Sequence, residues 1–400
     1  MRLLTTTEAL AQFCTRVRQQ PQERPYVTMD TEFMRERSYY PRLCLIQMAI
    51  PAETEGAEAA EGADGAEAAV LVDPLSPQLS LAPLYALLRD HRVIKVFHAA
   101  RQDLEIFFHL GGILPQPVFD TQVAAMVCGF GDQAGYDTLV RRILGQTIDK
   151  RSRFTDWSQR PLSAAQMAYA LGDVTHLRGV YEALATQIAQ KGRTGWVREE
   201  MEVLANPDTY RIKPEEAWQR IKTRSQAPEF LAVVRELARF REIEAQRRDI
   251  PRNHVFKDDA LLELAATMPR DIAALSRTRS LWREARRQDI AQGILAAIAA
   301  GRAQPVPGSR PVRAPKRGQG NPALIDLLRV LLKMRCQQEG VACRLIASSA
   351  DLEAMAAGAQ DVAALSGWRH EIFGRDALRL CGGEIALTTE GKEIRVVPLG

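Results

Sequence analysis

Four hundred residues exceed the size of one ordinary domain and point to two or three. With 46% hydrophobic and 26% charged residues the chain has material for real cores, and no apolar run or signal-peptide centre directs it to a membrane, so the expected compartment is the cytoplasm. A formal net charge of +4 permits a nucleic-acid partner without requiring one, and six scattered cysteines with no C-x-x-C pair argue against a zinc site or a disulfide framework.

Leu10, Phe13 and Val17 lie on one stripe of a short amphipathic helix expected over residues 5–20. Val27-Thr28-Met29-Asp30-Thr31-Glu32-Phe33 mixes β-branched and aromatic residues and reads as a strand. Alternation sends Thr28, Asp30 and Glu32 to one face and Val27, Met29 and Phe33 to the other. A second strand is expected over Leu43–Ile50 and a third from Val70. Between them, residues 52–69 are acidic and rich in Ala and Gly, without a large apolar side chain, and read as a loop inserted in a hairpin. Helices follow at 81–90 and 101–110, flanking a strand at 93–97. Residues 122–128 and 139–144 read as further helical segments, and Ser163 caps a helix running to about Ala189.

After Pro207 the pattern is helical with no convincing strand: Leu231–Phe240, Asp259–Met268 and Ser280–Ala300 carry apolar residues at helical spacing. Residues 301–320 hold four prolines and five basic residues and no acid, an extended basic linker. The tail then echoes the middle. Asp271-Ile-Ala-Ala-Leu-Ser276 matches Asp361-Val-Ala-Ala-Leu-Ser366, and at the same offset Leu262-Glu263 matches Leu352-Glu353, which suggests two copies of one helical module.

Three settings carry acids that could do chemistry. Asp30 and Glu32 share a strand face, where like charges repel unless a hard divalent cation neutralises them. Asp103 falls in the first turn of a helix just beyond a strand, where open α/β sheets place their sites. Tyr169 and Asp173 lie four apart on one helix face. Each has a plain structural alternative: a solvated strand edge, a helix cap, a polar helix surface.

Taken in order, Val27–Phe33, Val96–Glu105 and Tyr169–Val174 resemble the three motifs of the DEDD superfamily of 3′-5′ exonucleases. Tyr39–Leu43, Phe119–Gln122 and Thr155–Leu162 are similar to the bacterial ribonuclease D family, and the repeated module resembles the HRDC domain. The resemblance implies a mixed-sheet, RNase H-like α/β exonuclease domain over 1–207 and two small all-α HRDC-like domains, at 208–303 and 321–400, joined by a linker at 304–320. It implies two divalent ions, Mg²⁺ or Mn²⁺, held by Asp30, Glu32, Asp103 and Asp173, with Asp30 shared by both ions and Tyr169 orienting the attacking water. Ala168 and Tyr169 put the third motif in the tyrosine branch, and His176 is read as structural.

The implied activity is 3′-5′ exoribonuclease action that releases nucleoside 5′-monophosphates and trims tRNA precursors, by a monomer. An exodeoxyribonuclease and a non-catalytic nucleic-acid-binding protein are the alternatives. The first stays open because no residue identifies a 2′-hydroxyl contact, and the second is disfavoured by the complete acid set. A helicase is excluded by the lack of a G-x-x-x-x-G-K-[ST] loop. For RNA binding, the arginines at 235–252 and at 277, 279, 283, 286 and 287 are candidates, and the basic linker is the cleaner one.

Overall fold

The computed structural model describes residues 2–51, 68–281, 288–303 and 321–399. A six-stranded mixed sheet has the order β1-β4-β3-β2-β5-β6. Its strands are β1 (Arg2–Leu4), β2 (Tyr26–Met34), β3 (Arg42–Ala49), β4 (Ala69–Val72), β5 (Ile94–Phe97) and β6 (Val118–Asp120). Both faces are covered, which explains why β3 reads as a near-continuous apolar run rather than an alternating one. On one face, α1 (Thr7–Arg18), α2 (Ala82–Leu88), α3 (Arg101–Gly111) and α4 (Thr121–Cys128) bury Leu10, Phe13, Leu87 and Phe107 against Val27 and Met29. On the other, the 27-residue α5 (Ala164–Gln190) packs on Tyr26, Cys44, Leu45 and Val96.

Register sets the site. Strand β2 runs antiparallel to β3, with Asp30 opposite Gln47, and slips between Glu32 and Phe33, a bulge that turns the strand's end. Its parallel pairing with β5 spans only Tyr26–Thr28 against Ile94–Val96, so β2 outruns β5 and its Asp30–Glu32 stretch has no β5 neighbour.

A second core belongs to α7 (Pro228–Arg248), α8 (Asp258–Thr267) and α9 (Gln288–Ala303), where Leu237, Phe256, Leu261, Leu264 and Ile294 meet. Between α5 and α7 lies α6 (Thr194–Leu204). The C-terminal region opens with α10 (Pro322–Glu339), and its apolar residues, Leu331, Trp368 and Phe373 among them, join the core beneath the sheet. No helix among the described residues is long and apolar enough to cross a membrane.

One strand was not anticipated and three expectations are corrected. Arg2–Leu4 is a strand, paired in parallel with Val70–Val72; three residues are too few for periodicity to show. The 321–400 region is not all-α: β7 (Ile385–Glu390) and β8 (Glu393–Pro398) form a hairpin, whose largely half-buried and exposed residues gave no strong apolar alternation. Ser280–Ala300 is not helical throughout, since Ser280 and Leu281 are non-helical and the described helix begins at Gln288. That helix continues through Gly301 to Ala303, so the expected linker starts later; Gly301 lies against the Ala232–Val233 backbone with no room for a Cβ. Residues 304–320 of the basic linker, 52–67 of the acidic insertion, and Arg283, Arg286 and Arg287 lie outside the described residues.

Candidate metal centre

Asp30, Glu32, Asp103, Tyr169 and Asp173 all line one cleft of about 440 Å³. Ligand oxygens of Asp30, Glu32 and Asp173 lie within 4.8 Å of one another. They arrive on two supports. Asp30 and Glu32 project from β2 toward α5, as strand alternation dictates. Asp173 and Tyr169 come from one face of α5, one turn apart. The helix is clamped at that height: Thr28 Oγ1 donates to Val174 O at 2.8 Å, and Tyr136 Oη donates to Gly172 O at 3.1 Å.

Asp103 approaches from the opposite helical layer, past the end of β5. Although it sits in the first turn of α3, it caps nothing there; instead Thr31 Oγ1 donates a short hydrogen bond to its carboxylate. The turn that delivers it contains Ala99 at φ 58°, a left-handed conformation that a residue with a Cβ rarely adopts. Asp120 holds that turn closed, its Oδ1 accepting from Ala99 N at 3.0 Å and its Oδ2 from Ala100 N at 2.9 Å. The same carboxylate caps α4 through Gln122 N at 2.8 Å. Asp120 is therefore a positioning residue for Asp103, a role its place in Phe119-Asp120-Thr121-Gln122 does not reveal without the fold.

The electrostatics describe a charge deficit. Burial, and then the neighbouring Asp173 charge, holds the Asp30 carboxyl well above the usual range. Burial and then Asp30 do the same to Asp103. Glu32 is pushed up to about 10 by burial and by the three aspartates around it. Burial also raises Asp173, against the opposing effects of the Tyr169 hydrogen bond and the Arg153 charge. Asp173 Oδ2 is buried with no hydrogen-bond partner among the described residues. Four carboxyls in one pocket with an orphaned oxygen suit hard divalent cations, which accept oxygen ligands and remove the mutual repulsion. The Tyr169 hydroxyl is raised too, by burial and then by the adjacent carboxylates, which favours its protonated, donating form.

Other lining residues were not singled out as site candidates in the sequence, although His98 and Gln122 lie inside the motif stretches Val96–Glu105 and Phe119–Gln122. His98, whose Nδ1 is 3.0 Å from Thr121 Oγ1, sits on the wall, as do Gln122, Lys150, Arg153 and Phe154. Lys150 pairs with Asp137 at 2.9 Å. Apart from Gln122, which opens α4, they come from irregular segments with no periodicity, so only the assembled cleft groups them. His176 faces away from this cleft; its Nδ1 is 2.8 Å from Gly172 O within α5.

The chain is also similar to known proteins. Residues 1–189 match the 3′-5′ exonuclease family and residues 230–298 the HRDC domain. The chain is 54% identical over 395 residues to ribonuclease D of Jannaschia sp., covering 98% of both chains. It is 48% identical to ribonuclease D of Granulibacter bethesdensis, covering 100% of this chain and 97% of that one. Among solved structures, Escherichia coli RNase D, described as an exoribonuclease involved in structured RNA processing, superposes with a TM-score of 0.79 at 28% identity, covering 96% of this chain and 98% of that one.

Proposed function

The chain belongs to the ribonuclease D family and is a 3′-5′ exoribonuclease; from that premise we propose that Asp30, Glu32, Asp103, Tyr169 and Asp173 are its catalytic set and that tRNA precursors are its substrates. The observation that carries the site assignment is the convergence of four carboxyls, one with an unpartnered buried oxygen, from β2, α3 and α5 on a single cleft.

In this reading Asp30 would serve two divalent ions, Mg²⁺ or Mn²⁺, Glu32 and Asp173 would complete the ligands of the first, and Asp103 would serve the second. When bound, the ions neutralise the scissile phosphate and make an attacking water acidic enough to act at neutral pH. The protein's own groups do the rest. Thr31 steadies Asp103, and Asp120 braces the turn behind it. Tyr169, held protonated, orients the water by a hydrogen bond; a phenol with a raised pKa is poorly suited to take a proton. Ala168 and Tyr169 support the reading of the chain as one of the tyrosine branch of the superfamily. Products are nucleoside 5′-monophosphates, released one at a time from a free 3′ end, by a monomer in the cytoplasm.

We further assign an exonuclease domain to 1–207, an HRDC-like domain to 208–303 and a second, divergent HRDC-like domain to 321–400. Support for the last is the shared Asp-x-Ala-Ala-Leu-Ser segment: its first copy forms a helical turn at Ile272–Leu275 and its second a 3₁₀ turn at Ala363–Leu365.

The test is Mg²⁺-dependent digestion of matched RNA and DNA, each a structured stem with a single-stranded 3′ tail. Stepwise 3′ shortening of the RNA in preference to the DNA is expected. Preference for the DNA would remove the tRNA assignment, and internal cleavage would remove the exonuclease mechanism.

A further inference from the structure

The carboxylate cleft opens into a larger groove of about 1160 Å³, with Glu32, Phe33, Arg153 and Phe154 lining both. The groove lies between the turn leading from β2 to β3 and the segment around 153–158, and it reaches Asp249 at the end of α7. Three features of its lining go together. Phe154 is 89% exposed, a large aromatic that water would not favour on an idle surface. Farther along, Tyr40 and His109 stack in parallel at 3.6 Å between ring centroids. Arg37, Arg42 and Arg153 are exposed and make no ion pair among the described residues; of the acids on the lining, Asp249 and Asp156 accept backbone hydrogen bonds, Glu36 is exposed, and Glu32 belongs to the carboxylate cleft. Asp249 Oδ1 accepts from Tyr39 N and Tyr40 N, and Asp156 Oδ1 accepts from Ser158 N at 2.9 Å.

Phe154 does not owe its exposure to a loose segment. Trp157 beside it is buried, and Arg160 ties the segment to the sheet: Nε and Nη2 donate to Asp73 at 2.8 and 2.7 Å, and Nη2 donates to Cys44 O at 2.6 Å. Arg153 lies over the Phe154 ring at 5.2 Å, leaving the opposite face open to a planar partner. Exposed cations interleaved with presented aromatic faces are what single-stranded nucleic acid binds, because every base has a stacking face and every linkage a charge.

We propose that this groove is the track for the single-stranded nucleotides upstream of the scissile phosphate, with Phe154 as the stacking platform nearest the cleft and Arg37 and Arg42 binding backbone phosphates. The proposal rests on the exonuclease reading of the adjoining site. The track makes efficiency depend on tail length: a dinucleotide reaches only the cleft, and an oligonucleotide of about eight residues also fills the groove.

The experiment compares kcat/KM on those two substrates for the full chain, Phe154→Ala, Phe154→Tyr and the double variant Arg37→Gln/Arg42→Gln. The wild-type preference for the longer RNA should fall about tenfold in Phe154→Ala, as expected for the removal of one base stack, and be retained in Phe154→Tyr. In the double variant, the slope of log KM for the longer RNA against log salt should flatten by about 0.7 for each phosphate that is no longer neutralised. Unchanged length preference and salt slope in all variants would overturn the track. If the wild-type chain digests neither substrate, the nuclease reading fails instead; the track is then judged by binding of the labelled longer oligonucleotide in EDTA, where Phe154→Ala must again weaken affinity about tenfold or the proposal falls.

Discussion

The two helical regions lean on the nuclease sheet by different physics. The α7–α9 region is latched by polar groups. Tyr39, 6% exposed, sits in that region's core, and its hydroxyl donates to Glu242 and accepts from Arg252 at 3.0 Å and Gln246 at 3.1 Å. Arg252 also grips both Glu242 oxygens, at 2.5 and 2.7 Å. The C-terminal region instead shares the nuclease's apolar core. Trp368 stacks on Trp196 at 4.6 Å, and Ala342 N donates to Met126 O at 3.0 Å. Gly129, at φ 87°, passes so close that a Cβ there would lie 2.5 Å from Gly340 O. Continuous burial fuses two regions into one cooperative unit, whereas a polar latch of a few groups can open without unfolding either side. The region next to the proposed RNA groove is the one with the latch.

The largest expected effect comes from the apolar side. Trp368→Ala should cost about 3–5 kcal/mol, and urea unfolding followed separately in the C-terminal region and in the nuclease sheet should show both transitions moving together. If only the C-terminal transition moves, the shared core is not a single cooperative unit.

Glu242→Gln strikes the latch. It leaves Arg252 without its counter-charge; because Arg252 is about a third exposed, solvent screens part of the loss, and about 1–3 kcal/mol is expected. Faster hydrogen exchange should be confined to the Tyr39 turn and the C-terminal end of α7. Exchange rising equally in α5 would mean that the latch supports the nuclease itself.

The two junctions also respond to acid with opposite sign. Burial pushes the Glu242 carboxyl up, but hydrogen bonds from Arg252 and Tyr39 outweigh it and hold it below its ordinary 4.5. Its contribution is therefore present above pH 4.5 and is lost as pH falls through the depressed value. Glu200, paired with Arg369 at the C-terminal junction, is held above 4.5, first by burial; its contribution is full below pH 4.5 and declines as pH rises through the raised value. Small-angle scattering between about pH 6 and about pH 3 should show the α7–α9 region releasing first, and Glu242→Gln should abolish that step. Simultaneous release of both regions would break the contrast. The smallest effect is Tyr39→Phe, which removes one hydroxyl and should cost about 1 kcal/mol in the same exchange measurement.

Much of the centre was legible in the sequence because its residues sit in regular elements. Asp30 and Glu32 alternate along a strand, and Tyr169 and Asp173 are a turn apart on a helix, so local periodicity gave each pair's common face. Asp103 was legible as a position but not as a contact: its partner Thr31 is 72 residues away and meets it only because β5 stops short. Asp120, Phe154 and the Tyr39 latch were silent for the same reason, since their roles lie in tertiary contacts between turns. The C-terminal hairpin escaped because its strands are too weakly buried to show an apolar alternation.

The central proposal is that Asp30 would be the carboxylate serving both of two metal ions. Calorimetric titration of the full chain with Mn²⁺ tests it directly, comparing wild type with Asp30→Asn, a substitution that keeps the side chain's shape and removes the charge. Two bound ions in the wild type and none in the variant, with an unchanged circular dichroism spectrum, is the predicted result; a variant that still binds two ions, or that loses only one, would contradict it.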